Sequence, residues 1–137
     1  MLEGLADPEV LPRVTDVNRG HFEAAAQERL VVRRCGGCGL LFHYPRPRCP
    51  GCHSQDLAWE QLSGRGRVAV SAVVSRPPWN DIPREVPYVV ALVDLEEGPR
   101  MLSTVEGAGG RSVEPGSPVE AVFERVGELG LVRFALT

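Results

Sequence analysis

All four cysteines of the chain stand in two C-x-x-C pairs, Cys35-Gly-Gly-Cys38-Gly and Cys49-Pro-Gly-Cys52, separated by ten residues. Two such knuckles place four thiolates at the corners of a tetrahedron, the geometry of a closed zinc site. Glycine beside or inside each pair lets the backbone turn tightly while amides point at the sulfurs. The competing reading is a pair of disulfides in a secreted protein. No signal-peptide pattern is seen and no cysteine is used elsewhere, which favours zinc. Four thiolates fill the shell and leave no position for a reactive water, so the metal is expected to be structural.

The segments around the cysteines must hold them. Leu30-Val-Val-Arg-Arg34 reads as a strand into the first knuckle, and Leu40-Leu-Phe-His-Tyr44 as a strand out of it. Pro45 and Pro47 stiffen the approach to the second knuckle, and Leu57 to Leu62 completes a three-stranded zinc ribbon. A ribbon of some 30 residues has almost no core, so the metal is expected to supply most of its folding free energy. Before it, residues 1–14 read as an extended arm, and Thr15 or Asp16 can cap a short helix to about Glu28. Val17, Phe22, Ala25, Ala26 and Leu30 give that helix a narrow apolar stripe, so it must dock on something.

After Gly66 the pattern changes to period two with β-branched residues. Strands are expected at Arg67–Ser75, Tyr88–Leu95, Arg100–Val105, Val119–Val126 and Leu131–Leu136, with turns at Glu96–Pro99 and Gly127–Gly130. Gly107 to Glu114 reads as a flexible link. Five antiparallel strands in about 70 residues fit an OB-type barrel, with an open meander or half sandwich as the alternative. The fold class is therefore mainly β: an arm and helix over 1–28, a zinc ribbon over 29–63 and a barrel over 64–137. The proline-rich stretch from Arg76 to Pro87 carries Trp79, whose indole suits either the barrel surface or contact with a partner or ligand.

At 137 residues, with net charge −3 and 43% hydrophobic residues, the chain has no global attraction for polyanions. No apolar run approaches the ~20 residues of a membrane span, and a cytoplasmic location is expected. All fifteen basic residues are arginine, so lysine Schiff-base chemistry is excluded. His21 is expected on the exposed side of the helix, His43 in a ribbon strand beside Tyr44, and His53, next to Cys52, either packed behind the metal ligands or solvated rather than as a fifth ligand. None is paired in sequence with a Ser or free Cys nucleophile, so catalysis by this chain alone is not expected. A zinc ribbon joined to an OB barrel can also read single-stranded nucleic acid, and Arg29, Arg33, Arg34, Arg46, Arg48, Arg65 and Arg67 cluster around the ribbon. The barrel strands, however, offer only Tyr88, Phe123 and Phe134 as stacking aromatics, the last two expected in the core.

The combined pattern resembles a bacterial and archaeal family, long filed as a domain of unknown function, with an N-terminal helix, a rubredoxin-like zinc ribbon and an OB-fold. Phe22 with Ala25-Ala26, Arg34-Cys35-x-x-Cys38-Gly39, Pro45-Arg46, Cys49-Pro50-x-Cys52 and Trp59 carry the resemblance. Ser63-Gly64-Arg65-Gly66, Pro87-Tyr88-Val-Val-Ala-Leu-Val, Glu97-Gly98 and Gly116-x-Pro118-Val119 complete it, so it spans nearly everything from residue 15. Members are accessory subunits or fused domains beside thiolase-superfamily enzymes acting on acyl-CoA. One branch serves lipid-transfer-protein-like aldol lyases of steroid side-chain degradation, where the module can also be the tail of an enoyl-CoA hydratase subunit. Others serve acetoacetyl-CoA thiolases and acetyltransferases. The resemblance implies a thiolase-like partner that performs the lyase or acyl-transfer chemistry, a two-plus-two hetero-oligomer, and CoA as a shared ligand. Arg46, Arg48, Arg65 and Arg67 are then candidates to meet the CoA phosphates, because guanidinium forks match phosphate oxygens.

Overall fold

The computed structural model describes residues 12–76 and 87–137. Most of the N-terminal arm and the Trp79 loop, for which contact with the barrel surface, a partner or a ligand was expected, therefore lie outside the described residues. Among the described residues, one helix, α1 (Arg19–Ala26), precedes eight strands: β1 (Val31–Cys35), β2 (Leu41–Phe42), β3 (Leu57–Gln61), β4 (Arg65–Val74), β5 (Tyr88–Leu95), β6 (Arg100–Glu106), β7 (Pro118–Val126) and β8 (Leu129–Leu136). The first three form an antiparallel ribbon in the order β2-β1-β3, and the other five close a barrel in the order β4-β5-β6-β8-β7.

The barrel is not wholly antiparallel, as its period-two strands suggested. β6 and β8 run parallel, with Val105 opposite Phe134 and Glu106 opposite Ala135. A closed ring of five strands cannot alternate direction all the way round, so one neighbouring pair must be parallel. Alternation on β5 is complete: Val89, Ala91, Val93 and Leu95 point inward, and they meet Val68, Met101, Val105, Val119 and the fully buried Phe134. Phe123 packs at the margin of this core. A bulge between Val68 and Val70 turns Val70 outward, where it joins Leu92 and the exposed Leu102 in one cross-strand row.

The glycine-rich link from Gly107 to Glu114 is pinned at Val113. That side chain is buried in the core, and Ser71 Oγ both donates to Val113 O (2.8 Å) and accepts from Val113 N (3.1 Å). The last hairpin turn is also shorter than expected, because Val126 pairs directly with Leu129 and Gly130 lies inside β8.

Helix α1 starts later than the sequence suggested. Thr15 and Asn18 instead form a turn, with Thr15 N donating to Asn18 Oδ1 at 2.7 Å. Its end is a reciprocal cap, Glu28 N to Ala25 O and Arg29 N to Ala24 O, with Glu28 at φ 59° in the left-handed region. Eight residues make a helix too short to persist alone, and this one is held from two sides. A Cβ on Gly130 would strike the backbone of Ala26, so glycine lets the helix lie directly on β8. A Cβ on Gly20 would enter the Trp59 indole, so glycine there seats the helix against β3 of the ribbon. Ribbon and barrel also share a core, since Leu30, Val32 and Leu62 belong to the barrel cluster.

Candidate metal centre and arginine positions

Each knuckle is built by the backbone. In the first, Gly39 N donates to Cys35 O and Cys35 N to Leu40 O, both at 2.9 Å, and Gly39 takes φ +79°. In the second, His53 N donates to Cys49 O and Cys49 N to Ser54 O, again at 2.9 Å, and His53 takes φ 65°. His53 thus fills the left-handed position that Gly39 fills in the first knuckle, while its side chain is exposed, the solvated one of the two expected arrangements. Amides aim at the leading sulfur of each pair: Gly37 N and Cys38 N lie 3.3 and 3.4 Å from Cys35 Sγ, and Gly51 N lies 3.3 Å from Cys49 Sγ.

The four sulfurs all lie within 4.8 Å of one another, with Cys35 to Cys52 at 3.5 Å and Cys38 to Cys49 at 3.6 Å. Those separations far exceed a disulfide bond of about 2.05 Å. They approach the ~3.8 Å edge of a tetrahedron with Zn–S bonds of ~2.3 Å. The Cys38 amide, helped by the Cys52 sulfur and the Gly37 amide, holds the Cys35 thiol down to about 6 against burial. Cys38 gains an amide from Leu40, but the sulfurs of Cys49 and Cys52 push it up to about 12. Cys49 is lowered and Cys52 raised in the same alternation. Four thiolates this close repel one another, and a bound divalent cation removes that repulsion. The site therefore fits zinc held by Cys35, Cys38, Cys49 and Cys52, with no open coordination position and hence a structural role.

The four candidate arginines do not come together. Arg65 and Arg67 line a groove of about 970 Å³ where β4, β5 and β7 meet, with Arg100, Asp94, Glu96 and Glu120 on its walls. Their guanidinium groups are already engaged: Arg65 Nε with Glu96 at 2.8 Å, and Arg67 Nη1 with the Gly116 carbonyl at 2.9 Å. Arg46 and Arg48 stand exposed on the segment leading to the second knuckle, outside that groove, and neither forms an ion pair among the described residues. Of the other ribbon arginines, Arg34 pairs with Glu60 at 2.6 Å and Arg33 stacks 3.9 Å over Trp59.

His21 is buried rather than exposed, at 8% accessibility, because the helix is covered on its ribbon side as well as its barrel side. Its Nδ1 lies 3.5 Å from the Val31 carbonyl, and its ring meets His43 edge to face at 5.4 Å. Burial lowers the pKa of His21, and burial together with the charge of His21 lowers His43 to about 4. His43 lies just past β2, which is shorter than the strand expected over 40–44. Sequence reasoning also missed Arg133, buried on β8 and bonded to Glu124 at 2.6 Å. An arginine alternating with apolar residues in a barrel strand, with Glu124 on the neighbouring strand, was the available signal.

Comparison with known proteins identifies both halves. Residues 22–58 match the model described as ChsH2, rubredoxin-like zinc ribbon domain, and residues 59–124 match ChsH2, C-terminal OB-fold domain. A DUF35 domain-containing scaffold protein of Methanocaldococcus jannaschii is 37% identical over 102 residues, covering 74% of this chain and 72% of that protein. The 3-oxo-4,17-pregnadiene-20-carboxyl-CoA hydratase alpha subunit of Mycobacterium tuberculosis is 43% identical over 120 residues. The match covers 85% of this chain but 37% of that subunit, so the chain spans little more than a third of that relative. A solved structure described as the Ltp2-ChsH2(DUF35) aldolase superposes with TM-score 0.82 at 38% identity, covering 92% of this chain and 98% of the matched one.

Proposed function

Because the chain belongs to the ChsH2-type zinc-ribbon and OB-fold (DUF35) family, we propose that it is a non-catalytic accessory subunit of a thiolase-superfamily enzyme acting on acyl-CoA. The observation that carries this reading is the likeness to the ChsH2(DUF35) chain of an aldolase, which extends over nearly the full length of both chains. The partner would cleave or form a carbon–carbon bond, or transfer an acyl group. The steroid branch is supported by the name of the mycobacterial relative. The catalytic groups are assigned to the partner, since the cysteines form the sulfur shell and His21 and His43 pack against each other in the interior.

In this reading zinc is structural. Cys35, Cys38, Cys49 and Cys52 hold it, and it supplies rigidity by replacing the core that so short a ribbon lacks. The described residues contain no helix long and apolar enough to cross a membrane, and a cytoplasmic two-plus-two assembly remains part of the proposal. CoA would meet the chain at the groove holding Arg65 and Arg67, where its phosphates would have to draw Arg65 away from Glu96. Charge reversal at Arg65 is expected to raise the acyl-CoA KM of the complex, and an unchanged KM removes the groove from the proposal. For the subunit role, the thiolase-type partner expressed alone should be insoluble or inactive and should recover on co-expression. A soluble, fully active lone partner would falsify that role.

A further inference from the structure

The groove that holds Arg65 and Arg67 is walled by charges that cancel. Arg67, Asp94 and Arg100 stand directly opposite one another across β4, β5 and β6. Arg65 lies two residues back along β4, where Glu96 N donates to Arg65 O at 2.9 Å and so sets the two side chains beside each other. With Glu120 included, three guanidinium groups face three carboxylates. The volume of about 970 Å³ suits a cofactor-sized ligand, yet the lining side chains sum to no net charge.

The arginines are engaged but not used up. Arg65 gives Nε to Glu96 at 2.8 Å, Arg67 gives Nη1 to the Gly116 carbonyl at 2.9 Å, and Arg100 gives Nε and Nη2 to the two oxygens of Asp94 at 2.6 and 3.2 Å. A guanidinium has five N–H donors, so each keeps some for a ligand. Both ion pairs are about half exposed, and such pairs change partners at little cost. An anion with one charge that takes Arg65 from Glu96 replaces one carboxylate contact by another and sits beside the displaced carboxylate, so its net Coulomb gain is small. A ligand with adjoining phosphates engages two or three of the arginines together and gains on each. Glu96 is not stranded meanwhile, because Ser63 Oγ donates to it at 3.3 Å.

We propose that Asp94 and Glu96 determine which anions the groove accepts: they are built-in counter-anions that exclude singly charged groups and yield only to a ligand whose adjoining phosphates span Arg65, Arg67 and Arg100. This rests on the CoA reading of the groove given above. It adds Arg100 to the residues that meet the phosphates and gives the two carboxylates a role of their own. It also accounts for release, since each arginine returns to a carboxylate held next to it by the strand pairing.

The test follows the backbone amides of the full, zinc-loaded chain by nuclear magnetic resonance during titration with acetate, pyrophosphate and CoA at constant ionic strength. In the wild type, pyrophosphate and CoA are expected to shift Arg65, Arg67 and Arg100, and acetate to leave them unmoved. Asp94→Asn with Glu96→Gln should tighten CoA about fivefold or more and let acetate bind at the same amides. Glu60→Gln, which releases Arg34 on the ribbon in the same way, should leave CoA affinity within about twofold. Zinc content and circular dichroism confirm folding, and Asp94→Asn alone serves if loss of the Glu96–Ser63 bond disturbs the junction. Unchanged or weaker CoA binding in the folded variants, with shifts still in the groove, overturns the carboxylate role and leaves the groove as the CoA site. Acetate binding to the wild-type groove also overturns it. Groove shifts with pyrophosphate but not with CoA remove the CoA reading and keep the carboxylate role. Silence with both ligands sinks both.

Discussion

The ribbon and the barrel hold their shapes by different means. The barrel is organised around a continuous apolar cluster that runs from Val68 through Val93 and Phe134 to Val119, and its strands need no metal. The metal end of the ribbon has a cluster of Cys35, Phe42, Cys49 and the partly buried Leu57, in which two of the four members are ligands. Where apolar area is too small to offset chain entropy, coordination chemistry takes its place.

The largest expected effect therefore falls on the ribbon alone. Chelation, or Cys35→Ser, should unfold the metal end, since structural zinc in isolated fingers contributes roughly 10–16 kcal/mol. Hydrogen exchange should show β1 to β3 losing protection from Cys35 outward while β5 keeps its own. Uniform loss across both regions would show that the ribbon and barrel fold as one unit. The next effect lies on the barrel side. Arg133→Ala leaves the buried Oε2 of the half-buried Glu124 without its partner and is expected to cost about 3 kcal/mol in denaturant unfolding, with Arg133→Met costing less. An Arg133→Ala loss below about 1 kcal/mol would mean that the pair is well hydrated.

The helix joins the two regions, so its seats sharpen the comparison. Gly130→Ala should lift α1 from β8 and cost about 1–3 kcal/mol, read as a lower melting temperature with zinc content unchanged. A smaller, pH-dependent effect belongs to the opposite seat. His21 and His43 have folded-state pKa values below the ordinary 6.5, His43 near 4, so the folded protein binds fewer protons than the unfolded chain between those limits. Their contribution is present in full above pH 6.5 and is lost as the pH falls towards about 4. His43→Gln should flatten the urea midpoint over that window, with zinc content followed in parallel because thiolate protonation releases metal from the ribbon. An unchanged slope would place the imidazoles in contact with water.

Much of this was legible in the sequence, for identifiable physical reasons. Two C-x-x-C pairs can meet in few ways, and the β5 alternation from Tyr88 to Leu95 encodes one buried face. What escaped notice depended on contacts between distant segments. The burial of His21 goes with contacts to Val31 and to His43, twenty-two residues away, on a helix whose Gly20 seats Trp59, and no helical period reports these. Gly130 reads as the end of a turn until β8 is seen to carry a helix across it, although a glycine inside a strand is a known mark of close backbone approach. The parallel β6–β8 seam follows from ring closure rather than from any local pattern, and Arg65 separated from Arg46 only once the barrel had turned β4 away from the knuckle segment.

The most direct measurement is turnover of an acyl-CoA substrate by three preparations: this chain, the proposed thiolase-type partner, and the two together. Activity confined to the combined sample, with zinc at one per copy of this chain, is the expected result. Turnover by the isolated chain, or a partner indifferent to its presence, would contradict the assignment of the chemistry to one subunit and its support to the other.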